Sequence, residues 1–174
     1  MAILPILTYP DPRLREKTRP VAAFDEALGK LLDDLAETMY AAPGVGLAAN
    51  QVGVPLRVAV IDIASPKAGT LYELVNPRLV SKSDPILWNE GCLSFPDVTE
   101  EIERSAKAVV EAFDRHGKPF RLEGSDLLAV AIQHEIDHLD GVLILDHLSY
   151  LRKRLVRRKL ARARKDAAGS GEET

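Results

Sequence analysis

The chain has 174 residues, of which 46% are hydrophobic and 28% are charged, and its formal net charge is −3. This length and composition predict one globular domain that is large enough to bury a core. The single cysteine excludes an internal disulfide framework. With no apolar run near the ~18 residues of a membrane span and no signal pattern at the start, the sequence predicts a cytoplasmic protein without membrane contact.

The first predicted elements are a helix, a loop and a strand. Leucines and Met39 recur at spacings of three and four over residues 25–42, which predicts a helix with one apolar stripe. Pro43 and Gly44 end this helix. A loop of small residues follows at 44–51, and residues 56–63, rich in Val and Ile, predict a buried strand.

The middle of the chain predicts short strands. They lie at residues 71–75, 78–81 and 86–89, and a hairpin joins residues 106–113 to residues 118–122.

Two helices are predicted to follow the hairpin. The first runs from residue 127 through residue 138, with Ser125 or Asp126 as its N-cap and Gly141 beyond its end. A last, basic helix covers roughly residues 149–165, and residues 169–174 are expected to fray. This order predicts an α+β fold, in which small, mostly antiparallel sheets pack around one central helix and a C-terminal helix follows.

The strongest chemical pattern is His134-Glu135-Ile136-Asp137-His138 on the predicted central helix. Residues four apart lie on one helix face, so both imidazoles can bind one metal ion. Glu135 lies beside that position, where a carboxylate can accept a proton from water. The alternative is a surface helix with scattered polar residues. The other residues of this helix are mostly apolar, and buried polar side chains need partners, which favours the metal site.

A catalytic metal site needs three protein ligands and an open position. Asp140, Asp146 and His147 follow the histidine pair, but none belongs to a recognisable second motif. Cys92 lies upstream, within residues 90–94 of sequence Glu-Gly-Cys-Leu-Ser. A lone cysteine is more often a small buried apolar residue, but a thiolate is a good ligand and the histidine pair favours that role.

The loop at residues 44–51 has the sequence Gly-Val-Gly-Leu-Ala-Ala-Asn-Gln. Its glycines let the backbone approach a substrate closely, and Gln51 offers an amide donor. An ordinary turn between helix and strand is the alternative. A phosphate-binding P-loop is excluded, because no Gly-Lys-Ser/Thr follows.

Charge is unevenly distributed along the chain. Residues 151–174 carry nine Lys and Arg against three Asp and Glu, a net of +6, and residues 1–150 have a net of −9. The basic tail favours a polyanion or an anionic surface as partner. A solvated helix that keeps the protein in solution is the alternative.

Together, the three motifs resemble the peptide deformylase family. The family signature is a Gly-x-Gly-x-Ala-Ala-x-Gln loop, a Glu-Gly-Cys-Leu-Ser segment and a Gln-His-Glu-x-Asp-His-Leu helix, and all three occur here in that order at 44–51, 90–94 and 133–139. The resemblance extends to about Ser149. It implies a catalytic domain over residues 1–150, followed by a basic helix and frayed tail over residues 151–174.

The resemblance implies a hydrolase that removes the N-terminal formyl group from formyl-methionine of nascent polypeptides and releases formate. Cys92, His134 and His138 would then bind one divalent metal ion. In this family the native ion is Fe²⁺, although the ligand set suits Zn²⁺ as well, and Ni²⁺ or Co²⁺ can occupy preparations.

The resemblance also implies the roles of the other site residues. Glu135 would take a proton from water and pass it to the leaving amine. The Gln51 side chain and the Leu93 backbone N–H would stabilise the oxyanion, and the Gly46 backbone would hydrogen-bond the substrate. The candidate walls of a methionine pocket are Val45, Trp88, Leu127, Val130 and Ala131.

Charged neighbours are expected to support this site. Glu90, next to the cysteine, needs a cation, and Arg104 is the candidate. Asp137 or Gln133 is expected to orient an imidazole. A solvated surface position is the alternative for each.

Two other functions stay open on the residues alone. A small zinc peptidase would cleave internal peptide bonds and take a third ligand downstream of His138. A non-catalytic ribosome-binding module would close its metal site with a fourth ligand, and the sequence offers none. As partners we expect N-formylmethionyl peptides and, through the basic tail, the ribosome; we expect no DNA binding and a monomer.

Overall fold

The computed structural model describes residues 2–64 and 70–170. Within these ranges there are three α-helices and five β-strands. The helices are α1 Glu26–Ala41, α2 Leu127–Leu139 and α3 Tyr150–Gly169. The strands are β1 Gly46–Ala48, β2 Val58–Ile61, β3 Tyr72–Cys92, β4 Phe95–Phe113 and β5 Pro119–Ser125.

The five strands form one antiparallel sheet in chain order. The predicted α+β class is confirmed, although the strands join in one sheet where several small ones were expected. The predicted hairpin corresponds to the end of β4 and to β5. The part of β4 before residue 106 was not predicted.

The three short strands predicted between residues 71 and 89 are one long strand, β3. Asn76-Pro77 and Asp84-Pro85 resemble breaks in the sequence. In the structure, Asn76 and Asp84 adopt left-handed backbone conformations, and the pairing with β4 shifts register between Val75 and Arg78 and between Leu79 and Ser81. Such irregularities bend a strand without ending it.

Helix α1 confirms the apolar stripe predicted for residues 25–42. The Asp25 side chain caps it by accepting a hydrogen bond from the Leu28 backbone N–H at 3.1 Å. The stripe packs into a core cluster whose helix members are Leu28, Leu32, Leu35 and Met39.

Helix α2 is the central helix of the molecule and packs against all five strands. It begins after Asp126, which flanks the helix without a capping hydrogen bond from its side chain. Gly141 follows the C-terminal end with a φ of 74°, the left-handed conformation that was predicted there.

Helix α3 is capped by Ser149 and continues past residue 165 to Gly169. Its buried side chains, Val156 and Leu160, join a core cluster that contains Phe95 and Val98. The predicted frayed tail falls mostly on residues 171–174, outside the described residues. None of the described helices combines the length and the apolar character that crossing a bilayer requires.

Candidate metal centre and active site

Three potential metal ligands converge at the centre of the molecule. The Sγ of Cys92 lies 3.2 Å from Nε2 of His138, which lies 3.1 Å from Nε2 of His134. The three ligand atoms all lie within 4.8 Å of one another. Such spacings suit a single ion, whose bonds to nitrogen and sulfur are about 2.0–2.3 Å long.

Two different elements supply these ligands. The histidines lie one turn apart on α2, as their spacing predicts, and Cys92 is the last residue of β3. The pairing of β3 with β4 shifts register between Gly91 and Cys92, which directs the thiol toward the helix. A site built on a helix and a strand end is held by the core of the fold.

Glu90 contacts the nitrogen of the His134 ring that does not face the other potential ligands. Its Oε1 lies 2.7 Å from Nδ1 of His134, and Arg104 donates to the same carboxylate at 2.6 and 3.0 Å. Arg104 also donates to Asp137 at 2.7 Å, and Asp137 lies 2.8 Å from Nε2 of His147. The predicted pair of Glu90 and Arg104 is therefore confirmed.

The prediction that Asp137 or Gln133 orients an imidazole of the pair is wrong. Asp137 reaches His134 only through Arg104 and Glu90. The Gln133 amide instead bonds the backbone of Ser105 on β4 and the carbonyl of Ala129. Gln133 therefore ties the helix to the sheet.

Burial and neighbouring charges shift the pKa values of ionisable groups in the site, among them Cys92, Glu135 and Glu90. Burial raises the pKa of the Cys92 thiol, but His138 and His134 outweigh burial and lower that pKa to about 5, which favours the metal-binding thiolate. Burial raises the pKa of Glu135 to about 6, against the opposing effect of the two imidazoles. Burial also opposes the charge of Glu90, but His134 and Arg104 hold its pKa below the ordinary value.

Replacing Arg104 with Met should destabilise both the fold and the metal site. Arg104 and Glu90 are each 4% exposed at the side chain, so the change leaves a buried carboxylate without its cation. Removing one partner of such a pair costs about 3–5 kcal/mol of unfolding free energy, and losing support behind a ligand costs about 10–100-fold in metal affinity. Urea denaturation and metal titration measure the two effects.

Arg78→Met is the matched control for that variant. Arg78 pairs with Glu111 on the same two strands, but the side chains are 70% and 43% exposed. Exposed pairs contribute at most about 1 kcal/mol. Equal losses of stability and metal affinity in the two variants would show that Arg104 has no special role.

The Gln51 amide faces the ligands in a fixed orientation. Its Oε1 accepts a hydrogen bond from the Ala48 backbone N–H at 2.9 Å, which leaves Nε2 to donate. Nε2 lies 3.1 Å from the Ser94 hydroxyl oxygen and 3.8 Å from Sγ of Cys92. The amide donor therefore points into the site.

The carboxylate of Glu135 is buried beside the ligands with an unused oxygen. Glu135 is 4% exposed, and its Oε2 has no hydrogen-bond partner among the described residues. A Cβ added at Gly46 would lie 2.4 Å from Oε1 and 3.0 Å from Cγ of Glu135. The absence of a side chain at residue 46 is therefore what makes room for this carboxylate.

One cavity of about 420 Å³ joins these groups. It contains every site residue predicted from the sequence except His138, which is 1% exposed. The predicted residues that line it are Val45, Gly46, Gln51, Trp88, Cys92, Leu93, Leu127, Val130, Ala131, His134 and Glu135.

Three supporting contacts were missed. The side chain of Asn50 donates to the carbonyl of His138 at the end of α2, Ser94 contacts Gln51, and Glu90 contacts His134. Ser94 and Glu90 lie in the same short segment as Cys92, so a polar residue beside a candidate ligand was the available signal. Asn50 gave no signal beyond its position next to Gln51.

The donor set fits a divalent metal ion. One thiol and two imidazoles are intermediate-to-soft ligands, and the second nitrogen of His134 is fixed by a carboxylate, as is usual for metal-binding histidines. Three protein ligands beside a cavity are typical of metal-dependent hydrolases.

The comparisons with known proteins give the family. The polypeptide deformylase profile matches residues 3–154. The chain is 50% identical to the peptide deformylase of Alkalilimnicola ehrlichii, over 92% of this chain and 90% of that one. Identity to the peptide deformylase of Nitrosococcus oceani is also 50%, over 91% and 95% of the two chains. The chain therefore belongs to the polypeptide deformylase family.

Solved structures agree with this assignment. The peptide deformylase of Legionella pneumophila superposes with a TM-score of 0.92 at 47% identity, over 96% of this chain and 98% of that one. The Ehrlichia chaffeensis enzyme in complex with actinonin gives a TM-score of 0.87 at 34% identity, over all of both chains. Deformylases are metalloenzymes that remove the N-terminal formyl group from nascent polypeptides, and neither a zinc peptidase nor a non-catalytic module is favoured for this chain.

Proposed function

We propose that the chain hydrolyses the formamide of N-formylmethionyl polypeptides with Glu135 as the proton-transfer group, and with Cys92, His134 and His138 as ligands of one divalent metal ion. The observation that carries this proposal is the cavity lined by Cys92, His134 and Glu135, in which one buried oxygen of the Glu135 carboxylate has no hydrogen-bond partner among the described residues. His138 completes the cluster of three potential ligands. The native ion is Fe²⁺, supported by the family resemblance. Metal analysis after anaerobic purification tests that assignment.

The residues of the chain divide the reaction among them. A bound divalent ion supplies Lewis-acid chemistry, lowering the pKa of a water and polarising a carbonyl. Glu135 accepts a proton as the water oxygen bonds to the formyl carbon. It then gives that proton to the amine nitrogen as the carbon–nitrogen bond breaks, which releases formate and a free α-amine.

Two fixed donors stabilise the charge that develops on the formyl oxygen. One is Nε2 of Gln51, whose orientation is set by Ala48. The other is the backbone N–H of Leu93, in the turn that follows Cys92. Each such donor typically contributes about 3 kcal/mol to lowering the barrier.

The substrate binds in an extended conformation beside Gly46. Strand β1, which contains Gly46, pairs only with β2 and forms one edge of the sheet as described. A free strand edge can hydrogen-bond an extended peptide. The methionine side chain then occupies the apolar wall formed by Val45, Trp88, Leu127, Val130 and Ala131.

Replacing Gly46 with Ala should lower activity and leave the metal in place. The new Cβ would overlap the Glu135 carboxylate, so this side chain must leave its present position. Loss of positioned proton transfer lowers kcat by about 10²-fold or more. The assay is formate release, with metal content measured on the same sample.

Gly29→Ala is the matched control for that variant. Residue 29 lies within α1, and an added Cβ there has no atom within 4 Å. Alanine is the better helix former by about 1 kcal/mol, so this variant should be more stable and equally active. Full activity in Gly46→Ala would contradict the proposed position of Glu135.

Specificity for the formyl group is tested with three peptides. Formyl-Met-Ala-Ser should release formate, whereas acetyl-Met-Ala-Ser should be cleaved far more slowly, and no internal peptide bond should be cut. Mass spectrometry of the products separates the three results. Cleavage at internal bonds would contradict a deformylase and favour a peptidase.

The basic helix α3 is proposed to bind the ribosome, and the chain is proposed to act as a cytoplasmic monomer. The catalytic domain of the chain is proposed to cover residues 1–150, with residues 151–174 as an extension.

Two basic residues of α3 contact the rest of the protein: Arg152 pairs with Glu100, and Lys159 donates to the carbonyl of Asp97. The other seven Lys and Arg of α3 have no carboxylate partner within residues 2–64 and 70–170.

Salt dependence tests the ribosome proposal. Basic side chains that contact RNA phosphates release counterions, so cosedimentation with ribosomes should fall steeply as salt rises. Arg157 and Arg158 are exposed, and replacing both with Glu should abolish cosedimentation with ribosomes. Cosedimentation that is unchanged in this double variant would contradict ribosome binding through α3.

A further inference from the structure

The active-site cavity contains one charged side chain that the proposed reaction does not use. Glu90, Cys92, His134 and Glu135 are the ionisable groups of the site itself. The remaining one is Asp97. No lysine or arginine lines the cavity in the described part of the chain.

The charge of Glu90 is not available to a substrate. Glu90 is 5% exposed, and its carboxylate is already held by Arg104 and His134. Asp97 differs, because it is exposed and its carboxylate has no ion-pair partner among the residues that the structure describes. Asp97 is therefore the free charge of the cavity.

The position of Asp97 is fixed by its neighbours. Phe95 and Val98, on either side of it in sequence, are 1% and 4% exposed. Asp97 itself has a φ of 60°, a conformation that aspartate tolerates better than most residues. Lys159 of α3 donates a hydrogen bond to its backbone carbonyl, which brings one positive charge to this residue.

We infer that Asp97 makes the enzyme prefer formyl-methionyl peptides that carry lysine or arginine directly after methionine. This inference rests on the proposed function. Asp97 lines the same cavity as the potential metal ligands and the apolar wall, and it is exposed to solvent. With the formyl group at the metal site and methionine on the apolar wall, the residues that follow methionine run out of this cavity toward solvent, where the carboxylate can meet them. A long cationic side chain can reach this carboxylate, whereas an acidic side chain is repelled.

The expected preference is modest and depends on salt. Exposed ion pairs contribute little binding free energy. We therefore expect kcat/KM to be only about 2- to 5-fold higher for a cationic than for an acidic residue after methionine. Added salt screens such a pair, so the ratio should approach one at high ionic strength.

The test compares kcat/KM for formyl-Met-Lys-Ser, formyl-Met-Ala-Ser and formyl-Met-Glu-Ser at low and high salt. The wild-type chain should favour the lysine peptide over the glutamate peptide. Asp97→Asn should remove that preference, and Asp97→Lys should reverse it. Lys159→Met should widen it, because a counter-charge is removed.

Asp84→Asn is the matched control. Asp84 also has a positive φ, of 61°, and it lies outside the cavity, paired with Lys107. The Asp84→Asn variant should show the wild-type ratio of kcat/KM for the lysine peptide to kcat/KM for the glutamate peptide.

If this ratio is the same in wild type and Asp97→Lys while formate is still released, the inference is overturned and the proposed function stands. Failure of all three peptides would overturn the proposed function, and the inference with it.

Discussion

Replacing Glu135 with Gln should lower kcat for formyl-Met-Ala-Ser by about 10³- to 10⁴-fold, near the upper range for loss of a general acid–base group. The amide has nearly the same shape but cannot accept and return a proton. Because Glu135 is not one of the three clustered ligand residues, metal content should stay at the wild-type level. Steady-state formate release and metal analysis on one preparation give both quantities.

Stability provides an internal check on that variant. Oε2 of Glu135 is buried without a partner among the described residues, and burial raises the pKa of the group to about 6. A buried charge is costly, so the neutral amide should not destabilise the protein. A Glu135→Gln protein that kept full activity would exclude Glu135 from proton transfer.

Replacing Cys92 with Ala should remove the metal and abolish activity. Cys92 supplies one of the three proposed ligand atoms, and two imidazoles alone would leave an incomplete site. Losing the support behind a ligand already costs about 10–100-fold in affinity, so losing the ligand itself should cost more. Metal titration followed by gel filtration measures the retained ion.

The wild-type chain permits a direct chemical control for that variant, because Cys92 is its only cysteine. A thiol reagent therefore reports on this residue alone. The metal-free protein should react, and added metal should protect the thiol. A Cys92→Ala protein with wild-type metal content, or a thiol that metal does not protect, would contradict the ligand assignment. Ser94→Ala, in the same turn, should retain the metal.

The two candidate metal ligands on α2 were predictable because their pattern is local. His134 and His138 are four residues apart, so the helical period alone places both on one face. A lone cysteine between a glycine and a leucine has an ordinary apolar alternative, so Cys92 was predicted as a ligand only because the histidine pair favours that role, and the resemblance implied the same assignment.

Long-range pairings were less predictable. Glu90 contacts His134 across 44 residues, and this contact depends on the register of β3 and β4 beside α2. Asp137 and Gln133 were predicted to orient an imidazole because they are adjacent in sequence to His138 and His134. In the fold, those two side chains point to Arg104 and Ser105.

The course of β3 shows a second limit. Asn76-Pro77 and Asp84-Pro85 have the composition of turns, and as turns they would end strands. Pairing with β4 on both sides of each position continues the strand past these left-handed residues. Tertiary pairing outweighs the local preference of these residues, and a sequence pattern does not contain that pairing.

Formate release from formyl-Met-Ala-Ser, measured anaerobically with protein loaded separately with Fe²⁺, Ni²⁺ and Zn²⁺, tests the central claim most directly. We expect rapid release that a chelator abolishes and that added metal restores, with no cleavage of internal bonds. A folded protein that binds metal and releases no formate with any of the three ions would contradict the claim that this cavity is a deformylase active site.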